Sequence, residues 1–437
     1  MKVQKFGGTS VGTPDRIKEV AKLISSFSGK NIIVLSAMSG TTNSLLEISS
    51  ALKDDDKEKV KDLIKNLYDK YQNVISKLFS SNAYKNKSTE IVDSIFDEIK
   101  EVATKKYKPQ SEKEIVSKGE IISTNLMHQY MLEKGEKVAL ISALDFMITD
   151  NNGEPAYTSI RNHLNEILTD LKDKDIIITQ GFICRNPEGK VDNLLRGGSD
   201  FTASIIGAVI NAEEVDIWTD IDGMHNNDPR FVEETLPVHN LHFEEAAELA
   251  YFGAKILHPT CILPAKLNNI PVRLLNTMDP TAEGTLINNE LAHGSIKAVA
   301  AKDNITAIKI KSSRMLLAYG FLKKVFEVFE KYRTPIDMIA TSEVGVSLTI
   351  DDDKNLEEIT RELAKLGTVT IDKDMVIICV VGDLEWQNKG FEARALDALR
   401  NIPVRMISYG GSNYNISFLI DKSNKTKALR LLSYHLF

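Results

Sequence analysis

The sequence predicts an α/β protein: a mainly parallel sheet covered by helices, followed by a smaller region built from a repeat. The chain opens with a strand, a glycine loop, a helix and a second, wholly apolar strand. Apolar strands separated by helical segments then recur to about residue 275. After Ser295 the pattern changes to short strands alternating with single helices, and it occurs twice. Strand–helix alternation is typical of a parallel sheet with helices on both faces, and the repeat indicates two small similar units.

Composition narrows the class of protein before any motif is considered. The chain has 437 residues, which suggests two to three domains, with 43% hydrophobic and 26% charged residues. Its formal net charge of −7 argues against a basic surface for nucleic acid. The three cysteines are scattered, no apolar run reaches membrane-spanning length, and the first residues do not resemble a signal peptide. We therefore expect a cytoplasmic protein with neither a nucleic-acid nor a membrane partner.

The first elements are defined by apolar spacing and small-residue loops. Residues 2–6 read as a strand followed by the loop Gly7-Gly8-Thr9-Ser10, and 14–27 as an amphipathic helix. Residues 31–35 are a continuous apolar run, typical of a buried parallel strand, and the small-residue loop 36–43 follows. Ligands of such sheets collect beyond the carboxyl ends of the strands, where both loops should lie.

The middle of the chain predicts charged helices and then further strands. Residues 45–118 read as charged helices with a solvated face, and a new helix is expected to begin at Ser117. Strands are expected at 138–141, 176–178, 215–218 and 272–275, and 219–230 forms a polar loop rich in turn residues.

One five-residue stretch combines groups that suit an anionic substrate. After the strand-like segment 175–179 and a turn at 187–189 comes Arg196-Gly197-Gly198-Ser199-Asp200, followed by helical spacing from Phe201 onward. Ser199 and Asp200 are the expected N-cap residues, and paired glycines allow a close backbone approach. An arginine and free N–H groups at a helix start favour a ligand that carries negative charge.

The repeat after Ser295 predicts two β-α-β-β-α units of about 60 to 70 residues. In the first unit, a helix opens at Gly320, and strands are expected at 336–339 and 346–351. In the second, a helix opens at Gly390, and strands are expected at 404–407 and 416–421. The second unit ends without a fourth strand, which residues 295–301 could supply. The first unit would then be inserted into the second.

Two common ligand-binding patterns are absent from the sequence. Neither the Walker phosphate loop nor the dinucleotide fingerprint occurs at the required spacing. His239 and His242 stand i, i+3 but have no third ligand nearby, so they are interpreted as structural and no protein metal site is expected.

Taken together, three motifs and the repeat resemble the aspartate kinases of the amino-acid kinase superfamily. The motifs are residues 5–10, 196–200 and 253–259, and the repeat resembles the tandem ACT regulatory domains of those enzymes. The resemblance implies a three-layer catalytic sandwich with a mainly parallel sheet over 1–293. It also implies two ferredoxin-like βαββαβ ACT domains over 303–374 and 375–437.

The resemblance implies ATP-dependent phosphorylation of the β-carboxylate of L-aspartate, giving 4-phospho-L-aspartate. Lys5 would be the transition-state lysine and Asp200 the residue that orients it. Asp200 is not expected to act as a base, because a carboxylate nucleophile is already ionised at neutral pH. The residues implied around the amino acid are Ser36, Thr42, Glu120, Phe182, Arg196 and Ser199, with Arg196 on a carboxylate and Glu120 on the α-ammonium.

The nucleotide site implied by the resemblance draws on loops along the whole catalytic region. The residues are Lys5, Gly7, Gly8, Thr9, Ser10, Thr219, Asp220, His225, Asp228, Arg230 and Lys255. Mg²⁺ would arrive on ATP, bound mainly through phosphate and water oxygens. His225 departs from the family, which usually has a tyrosine there, so the contact to the nucleoside is the open part of this prediction.

The first ACT unit resembles the pocket of lysine-inhibited members of the family, and L-lysine is the implied effector. The residues are Met315, Ala318, Gly320, Phe321, Leu322, Asp337, Thr341, Ser342 and Glu343. The second unit has Arg405 in the place of Asp337, so it should not bind lysine in the same way. The ACT units are expected to associate between chains as a homodimer or a dimer of dimers.

Two other functions remain open at the level of sequence. One is another acyl-phosphate-forming member of the superfamily, acting on acetylglutamate or glutamate; the tandem ACT units argue against it. The other is an amino-acid sensor without catalytic activity that keeps the kinase fold. Intact Lys5 and Asp200 argue against a sensor, which would have no use for a transition-state lysine.

Overall fold

The computed structural model of the protein describes residues 1–194, 197–253, 257–312 and 319–437. The chain divides into two compact units, Met1–Gly223 with Leu257–Asn289 and Met224–Ile256 with Glu290–Phe437. The first unit contains most of the region predicted to be catalytic. Residues 224–256 lie in the second unit although the sequence predicts a catalytic domain over 1–293, and the predicted domain boundaries stay predictions.

Up to residue 288 the elements are β1 (Lys2–Phe6), α1 (Pro14–Ser26), β2 (Asn31–Leu35), α2 (Thr41–Lys53), α3 (Lys57–Leu78), α4 (Asn82–Thr104), α5 (Pro109–Glu133), β3 (Val138–Leu140), α6 (Tyr157–Asp170), β4 (Ile176–Gln180), β5 (Ile183–Arg185), β6 (Val191–Asn193), α7 (Gly198–Ile210), β7 (Val215–Thr219), β8 (Asn240–His242), α8 (Phe243–Tyr251), α9 (Pro259–Leu267), β9 (Val272–Asn276) and β10 (Thr285–Asn288). From residue 296 they are β11 (Ile296–Lys311), α10 (Phe321–Lys331), β12 (Ile339–Ser342), β13 (Gly345–Ile350), α11 (Leu356–Leu363), β14 (Thr368–Gly382), α12 (Phe391–Ala398), β15 (Val404–Tyr409), β16 (Asn415–Asp421) and α13 (Lys425–Leu436).

The first unit is built on a mainly parallel sheet, which confirms the predicted fold class. Its strands pair in the order β3-β4-β2-β1-β7-β9-β10, and only the β9–β10 pair of these neighbours is antiparallel. Ile33 and Leu35 on β2 enter a core that also includes α1 to α5. The alternate residues Ile32 and Val34 are equally buried on the other face, since side chains alternate along a strand. Helix α7 contacts β1, β2 and β7 and packs with α6 and α9.

The central strand β1 is held by a buried polar network beside its catalytic candidate Lys5. The Gln4 side chain donates from Nε2 to Asp216 Oδ2 at 2.7 Å and accepts at Oε1 from Trp218 Nε1 at 2.7 Å. The Trp218 ring stacks on Phe6 with 5.7 Å between ring centroids. Since buried polar groups are costly unless they are paired, this network fixes the register of β1 against β7.

The second unit contains an antiparallel sheet with two hydrophobic cores. Its strands pair in the order β12-β13-β11-β14-β16-β15, with the long strands β11 and β14 at the centre. Both long strands are interrupted midway, where Asn304 and Asp374 take left-handed backbone angles of φ +59° and +55°. Residues 296–302 of β11 pair with 377–382 of β14, and 307–311 pair with 368–372. Helices α10 and α11 cover one core, whereas α12 and α13 cover the other.

Three predicted boundaries are wrong. A helix does not begin at Ser117, because α5 begins at Pro109, where proline's fixed φ suits the first helical position. The N-cap of α7 is Gly197 at φ +73°, and Ser199 and Asp200 lie in the first turn. Strand β12 begins only at Ile339, where its regular pairing with β13 starts; just before it, the Met338 N–H donates to the Thr349 side chain at 2.9 Å.

Candidate active site

The candidate site lies in the first unit, where four neighbouring parallel strands end. Strands β1, β2, β4 and β7 end at Phe6, Leu35, Gln180 and Thr219, each followed by a loop. Because parallel strands point the same way, these loops leave the sheet at one edge. The predicted loops 7–10 and 36–43 are two of them.

Lys5 and Asp200 form an ion pair in this site. The Lys5 Nζ lies 2.6 Å from Asp200 Oδ1, and the two side chains are 11% and 16% exposed. Lys5 is placed by the buried strand β1, and Asp200 by the first turn of α7. A carboxylate that holds an ammonium in one position, largely away from water, preorganises a positive charge.

The first turn of α7 packs against the loop after β4, and glycine makes this approach possible. A Cβ at Gly198 would lie 2.4 Å from Phe182 Cδ2, and one at Gly181 would lie 2.5 Å from Ser199 Cβ. Phe182 itself takes a left-handed conformation with φ +68°. Its N–H donates to Thr202 Oγ1 at 2.9 Å, which anchors the loop to α7. Such strain in a non-glycine residue is often found at functional sites.

A cavity of about 690 Å³ collects eight of the predicted residues. These are Lys5, Gly8, Ser36, Thr42, Glu120, Phe182, Ser199 and Asp200. Three residues that were not predicted, Ser39, Asn43 and Asn193, line the same cavity. Ser39 and Asn43 lie in the small-residue loop that the sequence does indicate. Asn193 ends a short hairpin strand, and only its position three residues before Arg196 points to it.

Two buried oxygens at this cavity have unused hydrogen-bonding capacity. Glu120 is 4% exposed; its Oε1 accepts from the Ala37 N–H at 3.2 Å, and Oε2 has no hydrogen-bond partner among the described residues. Asn193 Oδ1 is likewise buried without a partner in the described part of the chain. Burial raises the pKa of the Glu120 carboxyl to about 7. Two acceptors that lack donors suit a ligand with an ammonium group.

The other predicted residues of the first glycine loop are engaged within the protein. The Gly7 N–H donates to the Trp218 carbonyl at 3.3 Å, and the Thr9 carbonyl accepts from Arg16 Nη1 at 2.7 Å. The Ser10 hydroxyl lies 2.7 Å from the Thr277 hydroxyl. This loop is therefore tied to β7 and to the residue after β9, and the Gly7 N–H is already bonded.

The predicted nucleotide residues are divided between the two units. Thr219 and Asp220 lie in the first unit, at the end of β7, whereas His225, Asp228 and Arg230 lie in the second. Arg230 Nη2 lies 2.6 Å from Asp228 Oδ2, and Arg230 also lowers the pKa of Asp228, although burial opposes this shift. His225 Nδ1 lies 2.7 Å from Thr235 Oγ1. Two predicted residues lie outside the described residues: Lys255 of the nucleotide set and Arg196 of the substrate set.

The predicted effector residues lie on several elements of the second unit. Gly320 caps α10 at φ +80°, and Phe321 enters the core beneath that helix while Leu322 is exposed. Thr341 and Ser342 are exposed on β12, and Glu343 lies in the turn that follows. The remaining two, Met315 and Ala318, fall outside the described residues. Asp337 is not a solvent-facing turn residue, since its side chain is only 1% exposed.

The described residues also bear on metal binding, on the cysteines and on membrane spans. Within residues 1–194, 197–253, 257–312 and 319–437, no group of three or more His, Cys, Asp or Glu side chains could hold a metal ion. His242 acts as the N-cap of α8, where its side chain accepts from the Glu244 N–H. Cys184, Cys261 and Cys379 are buried free thiols. None of the described helices is both long and apolar enough to span a bilayer.

A lysine–carboxylate pair beside glycine loops at the carboxyl edge of a parallel sheet suits a ligand that carries phosphoryl groups. Comparison with known families agrees with this class: residues 1–276 match the amino acid kinase family and residues 378–436 match the ACT domain. Curated relatives include aspartokinase 1, chloroplastic, of Arabidopsis thaliana, 34% identical over 100% of this chain and 80% of the relative. Lysine-sensitive aspartokinase 3 of Escherichia coli is 31% identical over 100% of this chain and 99% of the relative.

Solved structures give the same grouping. E. coli aspartokinase III in complex with aspartate and ADP, in its R-state, superposes with a TM-score of 0.82 at 30% identity, covering 100% of both chains. The aspartate kinase of Clostridium acetobutylicum superposes with a TM-score of 0.84 at 26% identity, again over 100% of both chains. The chain therefore belongs to the amino acid kinase family and, within that family, to the aspartokinases.

Proposed function

We propose that the protein transfers the γ-phosphoryl group of ATP to the β-carboxylate of L-aspartate, giving 4-phospho-L-aspartate and ADP. This is the first step of the aspartate-derived route to lysine, methionine and threonine. The observation that carries the proposal is the Lys5–Asp200 pair in one cavity with the unpartnered Glu120 oxygen. Relatives named aspartokinases, one of them solved with aspartate and ADP, support the choice of substrates.

Lys5 stabilises the charge that develops during phosphoryl transfer. The transferred group passes through a loose transition state, so a fixed cation contributes more than a base. The Lys5 ammonium bridges a γ-phosphate oxygen and the attacking carboxylate, while Asp200 holds that ammonium in place. The aspartate β-carboxylate is ionised at neutral pH and attacks phosphorus directly, so no proton has to be removed from it.

The α-amino and α-carboxylate groups of aspartate set its orientation. Glu120 Oε2 accepts from the α-ammonium, and Asn193 Oδ1 is a second acceptor for the same group. Arg196 binds a carboxylate of the substrate bidentately. Ser36, Thr42, Phe182 and Ser199 complete the pocket for the amino acid.

ATP is proposed to bind through the first glycine loop and the loop after β7. The glycine-loop residues are Gly7, Gly8, Thr9 and Ser10, and the others are Thr219, Asp220, His225, Asp228, Arg230 and Lys255. Mg²⁺ enters with the nucleotide, held mainly by phosphate and water oxygens, and supplies charge neutralisation on the phosphates when bound.

We also propose that L-lysine inhibits the enzyme through the first ACT unit. A relative of comparable length is named lysine-sensitive, which supports this choice. The predicted residues 315–343 form the pocket, with free N–H groups at the Gly320 cap for the α-carboxylate. The protein is further proposed to be a cytoplasmic homodimer or dimer of dimers formed through the ACT units.

A coupled ADP-release assay with a panel of amino acids tests this function. We expect ADP release with aspartate and little with acetylglutamate or glutamate. Turnover of acetylglutamate with none of aspartate would falsify the assignment within the family. Binding of amino acids without any ADP release would instead identify a sensor.

A further inference from the structure

Asp337 is the buried centre of a charged cluster in the second unit, whose other members reach the surface. Its Oδ1 lies 2.6 Å from Lys302 Nζ and accepts from the Tyr251 hydroxyl at 2.8 Å. The same Lys302 Nζ lies 2.9 Å from Asp351 Oδ2 and 4.3 Å from the centre of the Tyr251 ring. An internal lysine thus occupies the carboxylate proposed to receive an effector ammonium.

The cluster has two carboxylates but one ammonium. Asp337 Oδ2 is buried and has no hydrogen-bond partner in the part of the chain that the structure describes. Burial raises the pKa of Asp337 from its ordinary value, although Lys302 and Tyr251 oppose that shift. A buried carboxylate with a spare oxygen is stabilised by a further cation. A ligand ammonium is therefore the group that this cluster lacks.

The cluster is attached to the end of helix α8. Tyr251 is the last residue of α8, and Gly253 follows it closely at φ +120°. A Cβ at Gly253 would lie 2.2 Å from the carbonyl oxygen of Ala301, the residue before Lys302. The end of α8 therefore lies against β11 at two points, the Tyr251 ring beside Lys302 and the backbone of Gly253 beside Ala301. Lys255, a proposed nucleotide residue, follows just beyond the end of α8 in sequence. The chain returns to the first unit at Leu257.

We propose that Tyr251 and Lys302 are positioning residues that couple the effector pocket to the end of helix α8. An effector ammonium at the spare Oδ2 of Asp337 competes with Lys302 and the Tyr251 hydroxyl, which share Oδ1, for the charge of the same carboxylate. Lys302 keeps Asp351 as a partner, whereas the Tyr251 hydroxyl turns to water, so the end of α8 loses its hydrogen bond to Asp337. Because the effector shifts an equilibrium only by its differential affinity, the competition itself supplies the coupling.

This coupling rests on the proposed inhibition by lysine, and Tyr251→Phe tests it. The variant keeps the ring beside Lys302 but removes the hydroxyl that holds Asp337. We expect the variant to be less active than the parent without effector. Adding lysine should then reduce its activity by a factor about tenfold smaller than in the parent, because one hydrogen bond to a charged group contributes on that scale. Calorimetry should show lysine binding more tightly, because one competitor for Asp337 is gone. Tyr434→Phe, at an exposed tyrosine of α13, is the matched control and should behave like the parent.

Lys302→Met gives a second readout that does not depend on activity. It removes the competing ammonium, so we expect calorimetry to show tighter binding of lysine. Parent-like inhibition and affinity in Tyr251→Phe, or weaker binding in Lys302→Met, would overturn the coupling. A parent that binds neither lysine nor any other amino acid of the panel would remove the effector and the coupling together. The proposed aspartate phosphorylation would still stand or fall by ADP release.

Discussion

At the scale of single residues, Lys5 carries the largest proposed share of the chemistry. Lys5→Met removes a preorganised cation at developing charge, which costs on the order of 3 kcal/mol or more. We expect kcat to fall at least roughly a hundredfold, with ATP binding affected less. Steady-state kinetics of the purified variant measure this, with Lys22→Met on the exposed face of α1 as control. A near-normal kcat in Lys5→Met would contradict the proposed role of Lys5 in stabilising the transition state.

Glu120 predicts how aspartate binding depends on pH. Its pKa is raised to about 7 by burial, whereas pairing with the α-ammonium requires the ionised form. The carboxylate is mostly protonated below the raised pKa and mostly ionised above it, so affinity should rise with pH through this window. We expect KM for aspartate to be about tenfold lower at pH 8 than at pH 6.

Glu120→Gln separates this titration from the others in the assay. The variant should have a high KM for aspartate at both pH values, because its amide carries no charge to titrate. The pH profile of KM for ATP in the parent is the control for titration of the nucleotide. If Glu120→Gln keeps the tenfold change in KM for aspartate, another group is responsible.

Single residues differ in how far sequence could predict them. Lys5 and Asp200 are recognisable because each stands in a short motif at a strand end or helix start, whereas Glu120 lies within α5 and only the resemblance to the family points to it. Asn193 could not be recognised as a cavity residue, since it stands in no motif and its exposure to the cavity follows from the hairpin. The partners of Asp337 were equally hidden: Lys302 and Tyr251 lie 35 and 86 residues away in sequence.

At the scale of elements, the close approach of α7 to the loop after β4 is the most sensitive contact of the site. An alanine at Gly198 would ordinarily favour the helix, yet here its Cβ would lie 2.4 Å from the Phe182 ring. Overpacking of this kind costs about 1–3 kcal/mol and moves the turn that carries Asp200.

We expect Gly198→Ala to raise KM for aspartate or lower kcat by roughly tenfold, and to lower the melting temperature, in line with that cost. Thermal unfolding and steady-state kinetics measure both effects. Gly411→Ala is the control, because a Cβ there would meet open space. Unchanged kinetics in Gly198→Ala would show that the turn adapts without moving Asp200.

Elements were predictable where apolar periodicity decided them and not where tertiary contacts did. The buried strand 31–35 and helix α1 follow directly from their apolar spacing. The N-cap of α7 could not be predicted in this way. Serine and aspartate are the preferred cap residues, whereas this chain requires a residue with left-handed backbone angles at the cap position. A side chain at Gly197 would meet Cys261 Sγ at 2.2 Å, a contact from a distant part of the chain.

At the scale of the whole molecule, the antiparallel sheet of the second unit predicts association. Its outer strands in the described structure are β12 and β15, and unpaired strand edges tend to be covered by another chain. We expect light scattering at micromolar concentration to give at least the mass of a dimer, with and without lysine. A monomer under both conditions would contradict this.

The overall architecture was largely readable from sequence, and the placing of one segment was not. Strand–helix alternation predicted the mainly parallel sheet, and the repeat indicated a second region. Residues 224–256 belong to the second unit, although the sequence predicts a catalytic region that extends to residue 293. Tertiary contacts decide this placement: Val232 enters the core beneath α13, and Tyr251 reaches Asp337.

The most direct test of the proposed reaction follows an oxygen atom. With aspartate labelled by ¹⁸O in its β-carboxylate and hydroxylamine as trap, the acyl phosphate releases its phosphate together with the bridging carboxylate oxygen. We predict β-aspartyl hydroxamate, with one ¹⁸O in each phosphate that accompanies it, by mass spectrometry. Phosphate without ¹⁸O, or hydroxamate from acetylglutamate and none from aspartate, would contradict attack by the aspartate β-carboxylate on the γ-phosphorus of ATP.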